Sequence, residues 1–482
     1  MLTLYTFMEN TVHWLERVEP RTTSPKQAIQ LSTHEHVPVT LHTPLHDAIL
    51  ALKNDIDRIT PVGYWDDAKK ITNPYEYIFL SLQRRMHRSI AANQPLSRSY
   101  FKMLELWDLL GLDARVTAHS AEGPGGFLEA IQDRKGHKVP MVAMTLKSTE
   151  RTVPGWRKSQ TFMTNHPMVH ITYGWDGTGN LYSLLNQQSF ESTCRAHLGP
   201  EGADLYTADG GFDFSADFNG QENTVQRLLV AEVLAGVRTL KPGPTTTMIV
   251  KLFDTKQQST LEIMWLMSLC FERTGLVKPN TSRPANSERY WIGQGFRPPP
   301  AWLLDLLMFL TRTDAPNGWN QLFEVPPYEP SWLAGIQAFQ EELERHQFDK
   351  IQLTLNLIRN PVKSTIAALL HENISNSRRW CEVHRVPMNR AYEGLSDEQV
   401  SSLNLEEALE PFQVAGVHRS LPALSPPPPT PHGSTGPPPP RPPAASVWRS
   451  ALPPSILGRS ASQTVPGNPA PAPSALSQSP PS

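Results

Sequence analysis

The stretch Arg115–Ile131, RVTAHSAEGPGGFLEAI, leaves few folds open. Val116 to Ser120 is short, apolar and partly β-branched, which predicts a buried strand. Glu122-Gly123-Pro124-Gly125-Gly126 is a glycine-dense turn, and Phe127 to Ile131 resumes at helical spacing. A strand that breaks into such a turn and re-emerges as a helix brings bare backbone up to a ligand. The first N–H groups of the helix are left to point at it. Glycine is needed where a Cβ would block the turn or the approach, so side chains at Gly125 and Gly126 are expected to fill ligand space. The turn lacks the lysine of a GxxxxGK[ST] phosphate loop and is not GxGxxG.

The flanking sequence extends this unit. Helical spacing marks Leu45–Ile59, then Tyr75–Ile90, entered through Asn73-Pro74, then Ser97–Leu110 with Ser97 or Ser99 as N-cap. Strands are predicted over Pro140–Leu146, Val169–Tyr173, Asp204–Ala208, Thr246–Leu252, Leu276–Pro279 and Arg289–Phe296, with helices over Glu222–Leu240 and Gln257–Arg273. Such alternation means an α/β doubly wound sheet with ligands at the carboxyl ends of its strands. Helical periodicity over 301–385 predicts a C-terminal annex. The chain therefore divides into an N-terminal extension (1–94), an α/β domain (95–300), the annex (301–390) and a linker with a tail (391–482). From Leu421 the tail is Pro, Ser, Ala and Gly, too poor in apolar residues to offset ordering entropy, and is expected to be disordered with polyproline II stretches. Its PPPP runs beside Arg441 suit an SH3/WW-type partner or a plain spacer.

Net charge is −2 with 19% charged residues, so no global field attracts nucleic acid. An RNA site must be a local basic patch, and Arg84, Arg85, His87, Arg88 and the Lys147–Lys158 loop are candidates. Cys194, Cys270 and Cys381 lie far apart and form no CxxC pair, which suits a reducing compartment. No apolar run reaches 18 residues and no basic n-region opens the chain, so an intracellular protein without a membrane span or signal peptide is expected. His34, His36, His42 and His46 cluster without a Cys or paired carboxylates; they are taken as solvent-facing histidines, and no metal site is expected.

Six segments carry a resemblance to a known family: SRSYFKMLE (97–105), AEGPGGF (121–127), DGTGN (176–180), DLYTADGGFDFSADFNGQE (204–222), LKPGPTTTMIVKLFD (240–254) and SRPANSERYWIGQGF (282–296). In that order the chain resembles the FtsJ/RrmJ-like ribose 2′-O-methyltransferases over roughly 45–385, most of all the cap-1 mRNA enzymes of eukaryotes and large DNA viruses. The resemblance implies a Rossmann-like fold, a seven-stranded mostly parallel sheet with helices on both faces. It also implies S-adenosyl-L-methionine as cofactor and RNA, notably capped mRNA, as partner. An rRNA or tRNA ribose methyltransferase and a non-catalytic RNA-binding subunit are the alternatives. The family's Lys-Asp-Lys-Glu tetrad lands on Lys102, Asp209, Lys251 and Glu288. Lys251 is then the base for the ribose hydroxyl, and the carboxylates orient both lysines. Lys102 as a neighbouring cation, and burial, would lower the Lys251 pKa, the carboxylates would raise it, and the net sign depends on geometry. The cofactor is expected on Ala121, Glu122, Gly123, Pro124, Gly125, Gly126 and Phe127, with Asp176, Gly179, Asn180 and Asp209 beside it. Two departures stand out: the strand ending Thr145-Leu146-Lys147 offers no acid for the cofactor ribose, and the family's GTGD is GTGN here. Trp156 is expected either to stack on a cap guanine or to cover a neighbouring strand, with Arg151, Arg157 and Lys158 on phosphates.

Overall fold

The computed structural model describes residues 10–31, 40–59, 63–80, 89–150, 153–211, 221–312 and 318–413. The N-terminal part carries β1 (His13–Trp14), β2 (Gln27–Leu31), α1 (His46–Asp57) and α2 (Tyr64–Thr72). The alternating part follows as α3 (Ser99–Leu110), β3 (Thr117–Ser120), α4 (Gly126–Arg134), β4 (Met141–Met144), α5 (Gln160–Asn165), β5 (Val169–Thr172), α6 (Leu184–Leu198), β6 (Leu205–Ala208), α7 (Gln221–Thr239), β7 (Gly243–Leu252), α8 (Gln258–Ser268), β8 (Phe271–Val277) and β9 (Arg289–Phe296). Then come α9 (Ala301–Arg312), β10 (Trp319–Phe323), α10 (Pro330–Arg359), α11 (Lys363–Val383) and α12 (Asp397–Gln413).

The main sheet runs β1-β8-β9-β7-β6-β3-β4-β5. β3, β4, β5, β6 and β7 are parallel, while β9 is antiparallel to β7 and β8. Among the described residues this sheet has eight strands, not seven, because β1 adds to β8 by pairing His13 with Leu276 and Trp14 with Gly275. Two residues are too few to show alternation, so nothing in the sequence announces this edge. β3 neighbours both β4 and β6, and the crossovers leave it in opposite directions. That places the topological switch point, where open α/β sheets hold ligands, between the ends of β3 and β6.

Alternate residues feed two cores, as a strand period of two requires. Met141, Ala143, Leu205 and Ile249 face one cluster with Phe101, Phe127, Ile351 and Trp380, whereas Val142, Met144, Tyr206, Met248 and Val250 face the other with Leu234, Trp265 and Leu307. On the first side α10 packs on α1 and α2, and α11 and α12 pack on α2 and on each other. β10 pairs with β2 as a separate antiparallel ribbon.

Several expectations are corrected. Asn73-Pro74 closes a helix instead of opening one: Asn73 is extended (ψ 121°) after α2, as the residue before proline tends to be. Only a 3₁₀ turn, Glu76–Ile78, follows it within the described part of the expected 75–90 helix. Neither Ser97 nor Ser99 caps α3; Arg98 is the N-cap and no side chain bonds there. The expected helix through Arg273 ends at Ser268, and β8 starts at Phe271. Every residue from Ser259 to Ser268 is buried, so α8 has no polar face to mark its end. The stretch expected to be linker from 391 instead carries α12, packed on α11 and α2. Arg84, Arg85, His87, Arg88, His34, His36 and the Pro-rich tail lie outside the described residues. Among the described residues no helix is long and apolar enough to cross a membrane, and no group of three or more His, Cys, Asp or Glu is placed to hold a metal.

Candidate active site

Two lysine–carboxylate pairs meet at the carboxyl ends of β6 and β7. Lys102, the fourth residue of α3, puts its Nζ 2.6 Å from Glu288 Oε1. Lys251, near the end of β7, stands 3.2 Å from Asp209 Oδ1 and donates to the Asp209 main-chain carbonyl at 2.8 Å. Asp209 immediately follows β6, and Glu288 immediately precedes β9. Tyr290 braces the second pair: it lies opposite Lys251 in the β7–β9 register and its hydroxyl donates to Asp209 Oδ1 at 2.8 Å. The Ser282 hydroxyl donates to Glu288 Oε1 at 2.7 Å.

Charge balance decides the protonation states. Burial pushes the Lys251 ammonium down, but Asp209 and Glu288 pull it up further, and it ends above the ordinary lysine value. The sequence left the sign to geometry, and here the two carboxylates win over burial. Burial raises Glu288, yet Lys102, Lys251 and Lys278 together bring it to about 2. Behind Asp209 sit two further carboxyls. Burial, then Asp209, drives Glu122 well up, and burial drives Glu232 to about 8 against the pull of Lys251. Glu122 receives the Thr207 hydroxyl on Oε1, while its buried Oε2 and the buried Oε1 of Glu232 have no hydrogen-bond partner.

The glycine turn is built by close approach from several sides. A Cβ on Gly123 would stand 2.7 Å from the Gly155 carbonyl oxygen. Gly125 has φ +107° and no side chain to cap α4. Gly126 differs from expectation: its Cβ would lie 2.3 Å from both the Ser97 and Ser99 hydroxyls and 2.8 Å from the Tyr100 nitrogen, in the first turn of α3 rather than in open space. Gly126→Val is therefore expected to cost about 1–3 kcal/mol of stability by overpacking, read as a lowered midpoint of thermal unfolding. An unchanged midpoint would rule this out. Phe127 is fully buried, its ring 5.9 Å from that of Tyr290. Ala121, also in the turn, has φ +55° and abuts Gly210 across the switch point.

The remaining named residues serve neighbours. Asp176 Oδ1 accepts from the Thr178 amide (2.9 Å), the Thr178 hydroxyl (2.6 Å) and Asn186 Nδ2 (2.9 Å). Asn180 Oδ1 accepts from the Tyr182 amide at 2.9 Å, and Gly179 has its Cβ position 2.0 Å from the Thr145 carbonyl oxygen, joining the loops after β4 and β5. Trp156 is buried against Gly125, which removes it from stacking on a base. Arg157 donates to the carbonyls of Ser148, Glu150 and Val153 and so ties its own loop. Lys158 is exposed, and Arg151 lies outside the described residues.

The FtsJ-like methyltransferase family model matches residues 95–296, which hold the sheet's parallel part, the glycine turn and both pairs. Residues 95–296 are an FtsJ-like methyltransferase domain. Curated relatives are named cap-specific mRNA (nucleoside-2′-O-)-methyltransferase 1. The Drosophila melanogaster protein is 31% identical over 35% of this chain and 21% of its own length. The Trypanosoma cruzi protein is 31% identical over 48% and 61%, and the Dictyostelium discoideum protein 27% identical over 60% and 40%. The chain thus spans less than two thirds of each of these relatives. A solved structure described as a putative ribosomal RNA methyltransferase from Plasmodium falciparum is 16% identical over 42% of this chain and 98% of that one; its TM-score of 0.30 is too low to bear on the fold.

Four residues of the FtsJ-like domain stand at the cluster without having stood out in the sequence: Tyr290, Ser282, Lys278 and, behind Asp209, Glu232. Burial, with Arg289 and Lys102, pushes the Lys278 ammonium down to about 7 against the pull of Glu288 and Asp254. Its only signal was position, at the exit of β8 and the head of the KPNTSRPANSER loop.

Proposed function

We propose that this protein is an S-adenosylmethionine-dependent RNA ribose 2′-O-methyltransferase that acts on the first transcribed nucleotide of capped mRNA. The observation that carries the reading is the meeting of Lys102–Glu288 and Lys251–Asp209 beside the glycine turn at the switch point. Two buried carboxylate oxygens without partners, on Glu122 and Glu232, suit the cationic end of the cofactor, and Asp209 lies next to them. When bound, S-adenosylmethionine supplies a methyl group on a positively charged sulfur. Asp209, with Glu122 and Glu232 once they give up their protons, would hold its ammonium, and the turn 121–127 would present backbone to the rest.

The chain's own part is to place and deprotonate a ribose hydroxyl. Lys251 faces the reacting oxygen and takes its proton; Asp209 fixes Lys251 from the side. Lys102, held by Glu288, keeps the 2′-oxygen in line for displacement, and such positioning supplies much of the rate. Because Lys251 rests above its ordinary value, its neutral form grows as pH rises, so single-turnover rate should climb from neutral into the alkaline range. Support for the cap as substrate comes from the relatives' names.

The test is methyl transfer to short RNAs that differ only in the presence of a cap, with the modified nucleotide mapped. Capped RNA modified at the first nucleotide is expected. Equal modification of uncapped RNA, or of an internal position, overturns the cap assignment in favour of an rRNA- or tRNA-type substrate.

A further inference from the structure

The loop from Lys278 to Glu288 leaves β8, returns into β9 and delivers one side chain to the active site, that of Glu288. A loop of that length does not fix a carboxylate by its own stiffness. Three elements pin it. Glu105, one turn beyond Lys102 on α3, accepts from the Asn280 amide (2.7 Å), the Thr281 amide (3.1 Å) and the Thr281 hydroxyl (3.1 Å). Glu76, in the 3₁₀ turn, accepts from Arg283 Nη2 at 2.7 Å and Nε at 3.1 Å.

The third pin is Lys278. Its Nζ donates to the Glu288 main-chain carbonyl (2.6 Å), to Asn286 through the carbonyl (3.0 Å) and Oδ1 (2.8 Å), and reaches the Ser282 hydroxyl at 3.3 Å. Ser282 in turn holds Glu288 Oε1. One ammonium thus joins both ends of the loop to the backbone of the residue that carries the carboxylate. It makes no ion pair with that carboxylate, which Lys102 takes.

We infer that Lys278 is a positioning residue for the methyl-transfer reaction: it locks the 278–288 loop so that Glu288 meets Lys102 at the reacting oxygen. The inference rests on the methyltransferase reading given above, and acts through Glu288 alone. A displacement of about 1 Å at a reacting centre can cost about 10²-fold, and that is the size of loss expected from Lys278→Met, with cofactor affinity unchanged.

The decisive experiment is a double-mutant cycle on single-turnover methyl transfer to capped RNA, with Lys278→Met, Glu288→Gln and the pair. Lys278→Met is expected to be about 10²-fold slower alone and to add nothing once Glu288→Gln is present. Equal effects with and without the Glu288 carboxylate, or a wild-type rate for Lys278→Met, would overturn the inference while leaving the activity itself in place. Hydrogen exchange supplies a reading that needs no activity. In Lys278→Met and in the milder Lys278→Gln, amide protection is expected to fall at Thr281, Ser282 and Asn286 and to hold in β7 and β9. Unchanged protection in that loop overturns the inference even if no RNA is methylated; a loss of methyl transfer in the wild type would instead count against the function proposed above.

Discussion

Lys251→Ala and Lys251→Arg are both expected to lose about 10²–10⁴-fold in single-turnover methyl transfer, with cofactor affinity retained. Alanine removes the amine. Arginine keeps the charge beside Asp209 but does not deprotonate in a protein, so it cannot take the hydroxyl proton. The carboxylates hold Lys251 above the ordinary lysine value, so the resting site stores a cation there. A purely electrostatic lysine would be replaced in part by arginine. Substantial activity in the arginine variant at any pH would therefore remove Lys251 as the base and pass the role to Lys102.

The second large effect is on stability. Glu76 is buried beneath Arg98 and Arg283, and Arg98 also donates to the carbonyls of Tyr75 and Phe79. Removing the carboxylate in Glu76→Ala strands two guanidinium groups and is expected to cost about 3–5 kcal/mol, measured by denaturant unfolding. A change below about 1 kcal/mol would show that water already screens the pair. The sign with pH follows. Burial raises Glu76, but Arg98 and Arg283 bring it to about 2, below its ordinary 4.5. Its contribution is present in full above the unfolded value and is lost as pH falls from about 4.5 towards about 2. The wild type should lose more stability over that window than Glu76→Ala.

The parallel strands and the glycine turn were legible because their signals are local: short apolar runs, a glycine cluster and alternating periodicity. Lys102, Asp209, Lys251 and Glu288 could be named from motif order, yet the protonation state of Lys251 could not. It is a contest between burial and two carboxylates that come from β6 and from the head of β9. Gly126 was misjudged for a similar reason, since only the fold brings Ser97 and Ser99 against it. Trp156 was open either to stacking or to covering a neighbouring strand because its basic neighbours suggest surface, whereas its ring is buried over Gly125. Asn73-Pro74 shows the limit of punctuation, because one dipeptide signals a helix start and a helix stop alike. β1 and Lys278 carried no pattern at all; each gains its meaning from a partner distant in sequence.

Asn10 donates to the Lys278 carbonyl at 2.8 Å, His13 pairs with Leu276, and α2 rests on α10, α11 and α12. Residues 10–77 are therefore completed by elements far along the chain, as far as α12. During synthesis, at about 5–20 residues per second, the partners of α2 in α12 emerge on the order of tens of seconds after α2 itself. Until α10, α11 and α12 have all emerged, Ile71, Tyr75 and Tyr77, buried in the finished protein, lack part of their cover. A nascent chain with that surface uncovered is exposed to aggregation until its C-terminal helices arrive, and fragments cut at the borders of residues 95–296 are expected to carry the same bare apolar face from the other side.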